Sequence, residues 1–292
     1  MTNKVSIFKT PEGKEKFLRT YDECLQRLWD KPYETLYAET RFGKTHVLVS
    51  GPEDAPPLVL LHGMTFNSIM WYRNLPELNR KYRTYCIDTL GDYGKSETAV
   101  PLKSREDCVR WIDEVLDGLK LDRAGLIGHS MGGWLSLNFA LARPERVEKL
   151  VLLAPIMSVQ RLPLKFMFKV YPVMARPTRE KILKLWTWFL AEGNRLDKEI
   201  EEIIVQGWLH CRPQMKVVPC VFKREEMSGL QPRTLFLAGD QEVVYRALKA
   251  VARIRELVPG IRADIIPHSN HCFIAEQYES VNAKIMDFLA EG

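Results

Sequence analysis

No two cysteines in this 292-residue chain are spaced C-x-x-C; the six, at positions 24, 86, 108, 211, 220 and 272, are scattered. That argues against a disulfide framework and fits reduced thiols in a cytosol. Zinc is disfavoured on similar grounds, because His210-Cys211 and His271-Cys272 are adjacent pairs, and neighbouring side chains rarely converge on one tetrahedral ion. No metal and no cofactor is expected. No apolar run is long enough to cross a bilayer, and the opening residues Met1 to Phe8 lack the apolar stretch of a signal peptide, so a cytoplasmic protein is expected. Internal repeats, low-complexity tracts and charged tails are absent. The formal net charge of +5 arises from Lys and Arg interspersed with Asp and Glu, which does not imply a nucleic-acid partner.

Nucleotide binding is also disfavoured. Gly43-Lys44-Thr45 and Gly94-Lys95-Ser96 end like a phosphate-binding loop, but the glycine required five residues earlier is Ala38 in one and Thr89 in the other. A hydrophobic share of 46% is enough to build a core without staples. Residues 11–30 read as a helix opened by Thr10-Pro11, with Phe17, Leu18, Tyr21, Leu25 and Leu28 at helical spacing. Strands are expected at 34–41 and 45–50, joined by a hairpin turn. From Leu58 onward, short continuous apolar runs alternate with helical segments, at 58–61, 84–87, 124–127, 150–153, 234–237 and 263–266. Such runs are the signature of buried parallel strands, so the fold class is α/β, with an eight-stranded, mostly parallel sheet and helices on both faces. The strand rhythm stops after Ala154 and resumes near 228. Residues 155–227 read as a helical cap over a core made of 1–154 and 228–292.

The segment Gly128-His129-Ser130-Met131-Gly132-Gly133, between an apolar strand and a helix, has the G-x-S-x-G spacing of a nucleophile elbow. This turn exposes the hydroxyl of Ser130 and aims the first N–H groups of the helix at the place where an attacked carbonyl would gather negative charge. Serine is a weak nucleophile at neutral pH, so it needs an imidazole base and an acid that fixes the imidazole's tautomer. His271, at the start of a helix after the last strand, is the favoured base, and His268 reads as a loop residue. The base must be neutral, so turnover is expected to fall in acid. Asp240 and Glu242, in the loop after the penultimate strand, are both candidate acids.

Leu61-His62-Gly63-Met64, the elbow and the Gly239-x-x-acid…His tail together resemble the α/β-hydrolase superfamily. Thr40 to Val47 and Ser50 to Gly63 are similar to bacterial carboxylesterases of the capped, naproxen-esterase-like type. The resemblance implies that the acid stands three residues after the glycine, at Glu242, where most members carry aspartate. It implies that the backbone N–H groups of Met64 and Met131 form an oxyanion hole, with His62 as a structural residue. It also sets this chain apart from the haloalkane dehalogenases and epoxide hydrolases, which use aspartate at the elbow. Hydrolysis of an ester by acyl transfer to water is the implied reaction, with thioester or C–C bond cleavage using the same triad, or a non-catalytic ligand receptor on the same fold, as alternatives.

The cap is rich in aromatic residues, which suggests a substrate with an apolar or aryl acyl group. Phe66, Trp134, Trp186 and Trp208 are the expected pocket residues. Arg161, Lys165, Lys169, Arg176, Arg179, Lys181 and Lys184 could form a basic face resting on a membrane, but a solvated cap surface is the stronger reading. A small-molecule ester is therefore the expected partner rather than a membrane, and a homodimer is compatible with the sequence.

Overall fold

The computed structural model describes residues 5–291; residues 1–4 of the opening segment and Gly292 lie outside the described residues. The strands are β1 (Tyr33–Thr40), β2 (Gly43–Ser50), β3 (Pro57–Leu61), β4 (Arg83–Ile87), β5 (Glu97–Thr98), β6 (Ala124–His129), β7 (Val147–Leu153), β8 (Arg233–Gly239) and β9 (Arg262–Ile266). Eight of them form the sheet path β1-β2-β4-β3-β6-β7-β8-β9. β5, only two residues long, adds an antiparallel contact with β2 that apolar periodicity could not have revealed. Pairing is antiparallel for β1 with β2 and β2 with β4, and parallel from β4 through β9.

The continuous apolar runs have the burial that parallel pairing demands. Leu58 to Leu61 and Leu150 to Leu153 are inaccessible along both faces of the sheet because helices cover each side. The helix Met131–Ala142, which follows β6, is buried around almost its whole circumference. Strand order reverses beside β3, with β4 on one side and β6 on the other, so a crevice opens at the carboxyl ends of these strands. The loops after β3, β6, β8 and β9 all emerge at that end.

The helices Leu164–Ala175, Arg179–Trp188, Lys198–His210 and Arg224–Met227 lie between β7 and β8. The N-terminal helix Pro11–Leu28 starts with Thr10 accepting a hydrogen bond from Gly13 N–H and Pro11 at the first helical position. It packs along Lys198–His210, and the residues before it are stitched to the same insertion: Lys9 N–H donates to the His210 carbonyl at 2.9 Å, and Arg212 N–H to that of Ile7 at 2.7 Å.

Candidate active site

Ser130 occupies φ +53°, ψ −113°, a strained backbone for a residue with a Cβ. Its N–H donates to the Leu153 carbonyl at 2.8 Å, and its own carbonyl accepts from Trp134 N–H at 3.1 Å and Ile156 N–H at 3.2 Å. These bonds to β7 and to the chain after it hold the turn against relaxation. Gly132 permits the close approach on the other side, since a Cβ there would stand 2.0 Å from the Leu61 carbonyl oxygen. The elbow helix is thereby pressed against the end of β3.

Ser130 Oγ lies 2.9 Å from His271 Nε2, and His271 Nδ1 lies 2.9 Å from Glu242 Oε2. A carboxylate only accepts, so the imidazole carries its proton on Nδ1 and presents a lone pair at Nε2 to the serine hydroxyl. The second oxygen of Glu242 accepts from Val244 N–H at 2.8 Å. Asp240 is spent elsewhere: it accepts from His268 N–H at 3.1 Å and Ser269 N–H at 3.0 Å, pinning the turn where the exposed His268 adopts φ +53°.

The turn carrying His271 is itself braced. Asn270 Oδ1 accepts from the N–H groups of Val243 and His271 at 3.1 and 2.8 Å, and its amide donates to the carbonyls of Trp188 and Leu190 at 3.2 and 3.1 Å. Glu276 accepts from Asn270 N–H at 2.9 Å and from the Asn194 amide at 2.8 Å. His129 donates from Nε2 to the His271 carbonyl at 2.8 Å. Burial, with the neighbouring His271 adding to it, pushes the His129 imidazole down to about 3, so it acts as a neutral donor. Its buried Nδ1 has no partner among the described residues.

Met131 is the first residue of its helix, so its N–H has no intrahelical acceptor. Met64 lies in the loop after β3, beside the elbow. His62 shapes that loop, donating from Nδ1 to the Gly63 carbonyl at 2.8 Å and accepting at Nε2 from Thr89 N–H at 2.8 Å. The next residue, Thr65, has φ +59°, and both oxygens of Asp92 accept its N–H at 3.0 Å. One of them also accepts from Tyr93 N–H at 2.8 Å. Nothing in the sequence singles out Asp92, because its partner Thr65 is distant in the chain. Asp88, in the same loop, accepts from Ser68 N–H, Lys95 N–H and His46 Nδ1, each at 2.9 Å. Burial pushes its carboxyl up, but the adjacent His46 outweighs this and holds it well below the usual range.

Burial pushes the Asp92 carboxyl up to about 7 against the pull of the Tyr93 and Thr65 N–H groups. The folded protein therefore keeps this proton up to about pH 7, whereas the unfolded chain releases it near the ordinary value of 3.8. Between these values stability falls as pH rises, by up to about 1.4 kcal/mol per unit. Asp92→Asn removes that slope, which paired thermal melts between pH 4 and 8 will read as a difference from wild type that grows until about pH 7 and then levels. Above about pH 7, where Asp92 is ionised, Asn offers one acceptor oxygen in place of two, so kcat measured at about pH 8 is expected to drop about tenfold with KM little changed.

The triad opens on a cavity lined by Met64, Phe66, Tyr72, Phe166, Val170, Met174, Trp186, Phe189, Ile200 and Trp208 among others, with no Asp, Glu, Lys or Arg among the described residues of its wall. Three of the four expected pocket residues, Phe66, Trp186 and Trp208, are in that wall. Trp134 is not. It is completely buried on the far side of the elbow helix, where its Nε1 donates to the Cys220 carbonyl at 3.0 Å and its ring packs on Phe222. A helix buried all round gives no sequence cue to which side meets the cavity. Phe166, Phe189 and Tyr72 were not among the expected four; the first two lay within the aromatic run of the cap, and Tyr72 carried no signal.

Comparison with known proteins agrees with this architecture. Residues 56–190 match the family model described as alpha/beta hydrolase fold. Carboxylesterase YbfK of Bacillus subtilis is 36% identical over 98% of this chain and 97% of its own length. The crystal structure of naproxen esterase (carboxylesterase NP) from Bacillus subtilis superposes with a TM-score of 0.90 at 34% identity, covering 96% of this chain and 99% of that one. A 2-hydroxy-6-oxononadienedioate/2-hydroxy-6-oxononatrienedioate hydrolase from Paraburkholderia phymatum is 34% identical over 54% of this chain and 58% of its own length. Similarity sustained over nearly the full length of both partners places the chain in the α/β hydrolase family, among the relatives of the Bacillus carboxylesterases.

Proposed function

We propose that this protein is a serine carboxylesterase that hydrolyses neutral esters of an apolar or aryl acid through an acyl-enzyme. The observation that supports it most is the unbroken relay from Ser130 Oγ through the His271 imidazole to Glu242, each step 2.9 Å, at the mouth of an uncharged cavity. Ser130 Oγ bonds to the ester carbonyl carbon as its proton passes to His271 Nε2, and the carbonyl π electrons move onto oxygen, facing the N–H groups of Met64 and Met131. Glu242 offsets the imidazolium charge. Collapse of the tetrahedral species breaks the bond to the alcohol, which leaves with the proton from Nε2. Water then gives its proton to Nε2 and attacks the acyl carbon, and Ser130 departs as the hydroxyl with that proton restored.

The wall of the cavity discriminates between the reactions that share this triad. The relative named for a dienedioate acts on a diacid, and a carboxylate brought into this cavity would meet no Lys or Arg among the described residues of its wall to compensate its lost hydration. Neutral acyl groups suit it. Two measurements test the reading: labelling of Ser130 by a fluorophosphonate, and turnover of aryl esters, hemiesters of dicarboxylic acids and acyl thioesters side by side. Labelling at Ser130 is expected, with kcat/KM at least about a hundredfold lower when the acyl group carries a carboxylate. Absence of labelling, or preference for the charged or thioester substrates, would overturn it.

A further inference from the structure

The helix Leu164–Ala175 has two apolar faces. Phe166, Val170 and Met174 line the cavity. On the neighbouring face Leu164 is 76% exposed, Phe168 77%, Tyr171 55% and Met167 38%. Four large apolar side chains within two turns of one helix form a connected stripe rather than scattered surface residues, and a stripe of this kind on a folded protein marks a contact surface. Residues 161–184 carry seven Lys and Arg against a single acid, Glu180. Lys165 and Lys169 sit beside the stripe with their ammonium groups 5.8 and 5.9 Å from the Trp188 ring.

We propose that this face docks on an anionic lipid surface, with Leu164, Phe168 and Tyr171 entering the headgroup boundary and the basic residues meeting lipid phosphates. The pattern of an apolar face containing aromatics and flanked by lysines is that of an interfacial helix. A second copy of the chain fits less well: a two-fold contact through this helix would set Lys165 and Lys169 against the same residues, and residues 161–175 hold no acid to meet them. Charge alone favours a solvated surface here, because nothing local in the sequence shows which apolar residues turn outward. The same helix walls the cavity, so an apolar ester dissolved in the bilayer would reach the enzyme at the element that encloses the site. That second step rests on the proposed esterase activity; the lipid contact does not.

Sedimentation with vesicles of phosphatidylglycerol and phosphatidylcholine, against phosphatidylcholine alone, tests the contact without requiring turnover. Wild type is expected to sediment with the anionic vesicles, and Leu164→Ser/Phe168→Ser to partition at least about tenfold less, with its kcat/KM on a water-soluble ester unchanged. Neither substituted residue touches the cavity. Failure of wild type to sediment at low salt, or equal sedimentation of both proteins, would overturn the proposal. So would a concentration-dependent dimer in analytical ultracentrifugation that the double substitution abolishes while no vesicle binding is seen. If sedimentation behaves as expected but no ester is turned over from solution or vesicle, the esterase reading fails and the lipid contact stands.

Discussion

Ser130→Ala is expected to lower kcat on a chromogenic aryl ester by about 10⁶-fold. The substitution leaves the Cβ and the strained turn in place and removes only the atom that would bond to the acyl carbon. His271 and Glu242 then have nothing to activate, and the imidazole faces an empty position 2.9 Å from its Nε2. The remaining acceleration would come from the two backbone donors and from binding alone, about 10³- to 10⁴-fold over water. Fluorophosphonate labelling should vanish with the activity, and the melting temperature should move by no more than a few degrees. Residual turnover within tenfold of the parent would remove Ser130 from the chemistry.

Glu242→Gln is expected to cost about 10⁴-fold in kcat, by a different route. Both oxygens of the glutamate accept, one from His271 Nδ1 and the other from Val244 N–H. An amide can supply only one acceptor. If its oxygen stays with Val244, its NH₂ meets Nδ1, the imidazole proton shifts to Nε2, and the ring can no longer take a proton from serine. Asp240→Asn should be far milder, because Asp240 braces the N–H groups of His268 and Ser269 rather than the imidazole of His271. Measuring both variants on one substrate assigns the acid. A larger loss at 240 than at 242 would reverse the assignment.

The parts of this molecule legible in the sequence are those fixed by neighbours in the chain. Leu58-Val59-Leu60-Leu61 announces a strand buried on both faces because the run is too short for a helix and follows Pro56 and Pro57. The glycines around Ser130 announce the elbow because the close approach at Gly132 admits no side chain. Asp92 is different. Its meaning lies in Thr65, 27 residues away, and nothing local distinguishes an aspartate that anchors a loop from one in solvent. Trp134 and Phe168 show the same limit in opposite directions: two aromatic residues on apolar helices, one completely buried away from the cavity and one turned outward. Periodicity identifies a helix with little to hide from water, but tertiary packing decides which of its flanks meets the ligand.

The knot of hydrogen bonds around Asn270 and Glu276 has a mechanical corollary. Because it fastens residues 188–194 to the segment that carries the imidazole, that stretch cannot swing outward without dragging His271 away from Ser130. It must behave as a fixed doorpost. Any doorway to the cavity therefore has to open elsewhere in its wall, such as along Phe166 to Met174, where movement leaves the 2.9 Å contacts of His271 with Ser130 and Glu242 intact.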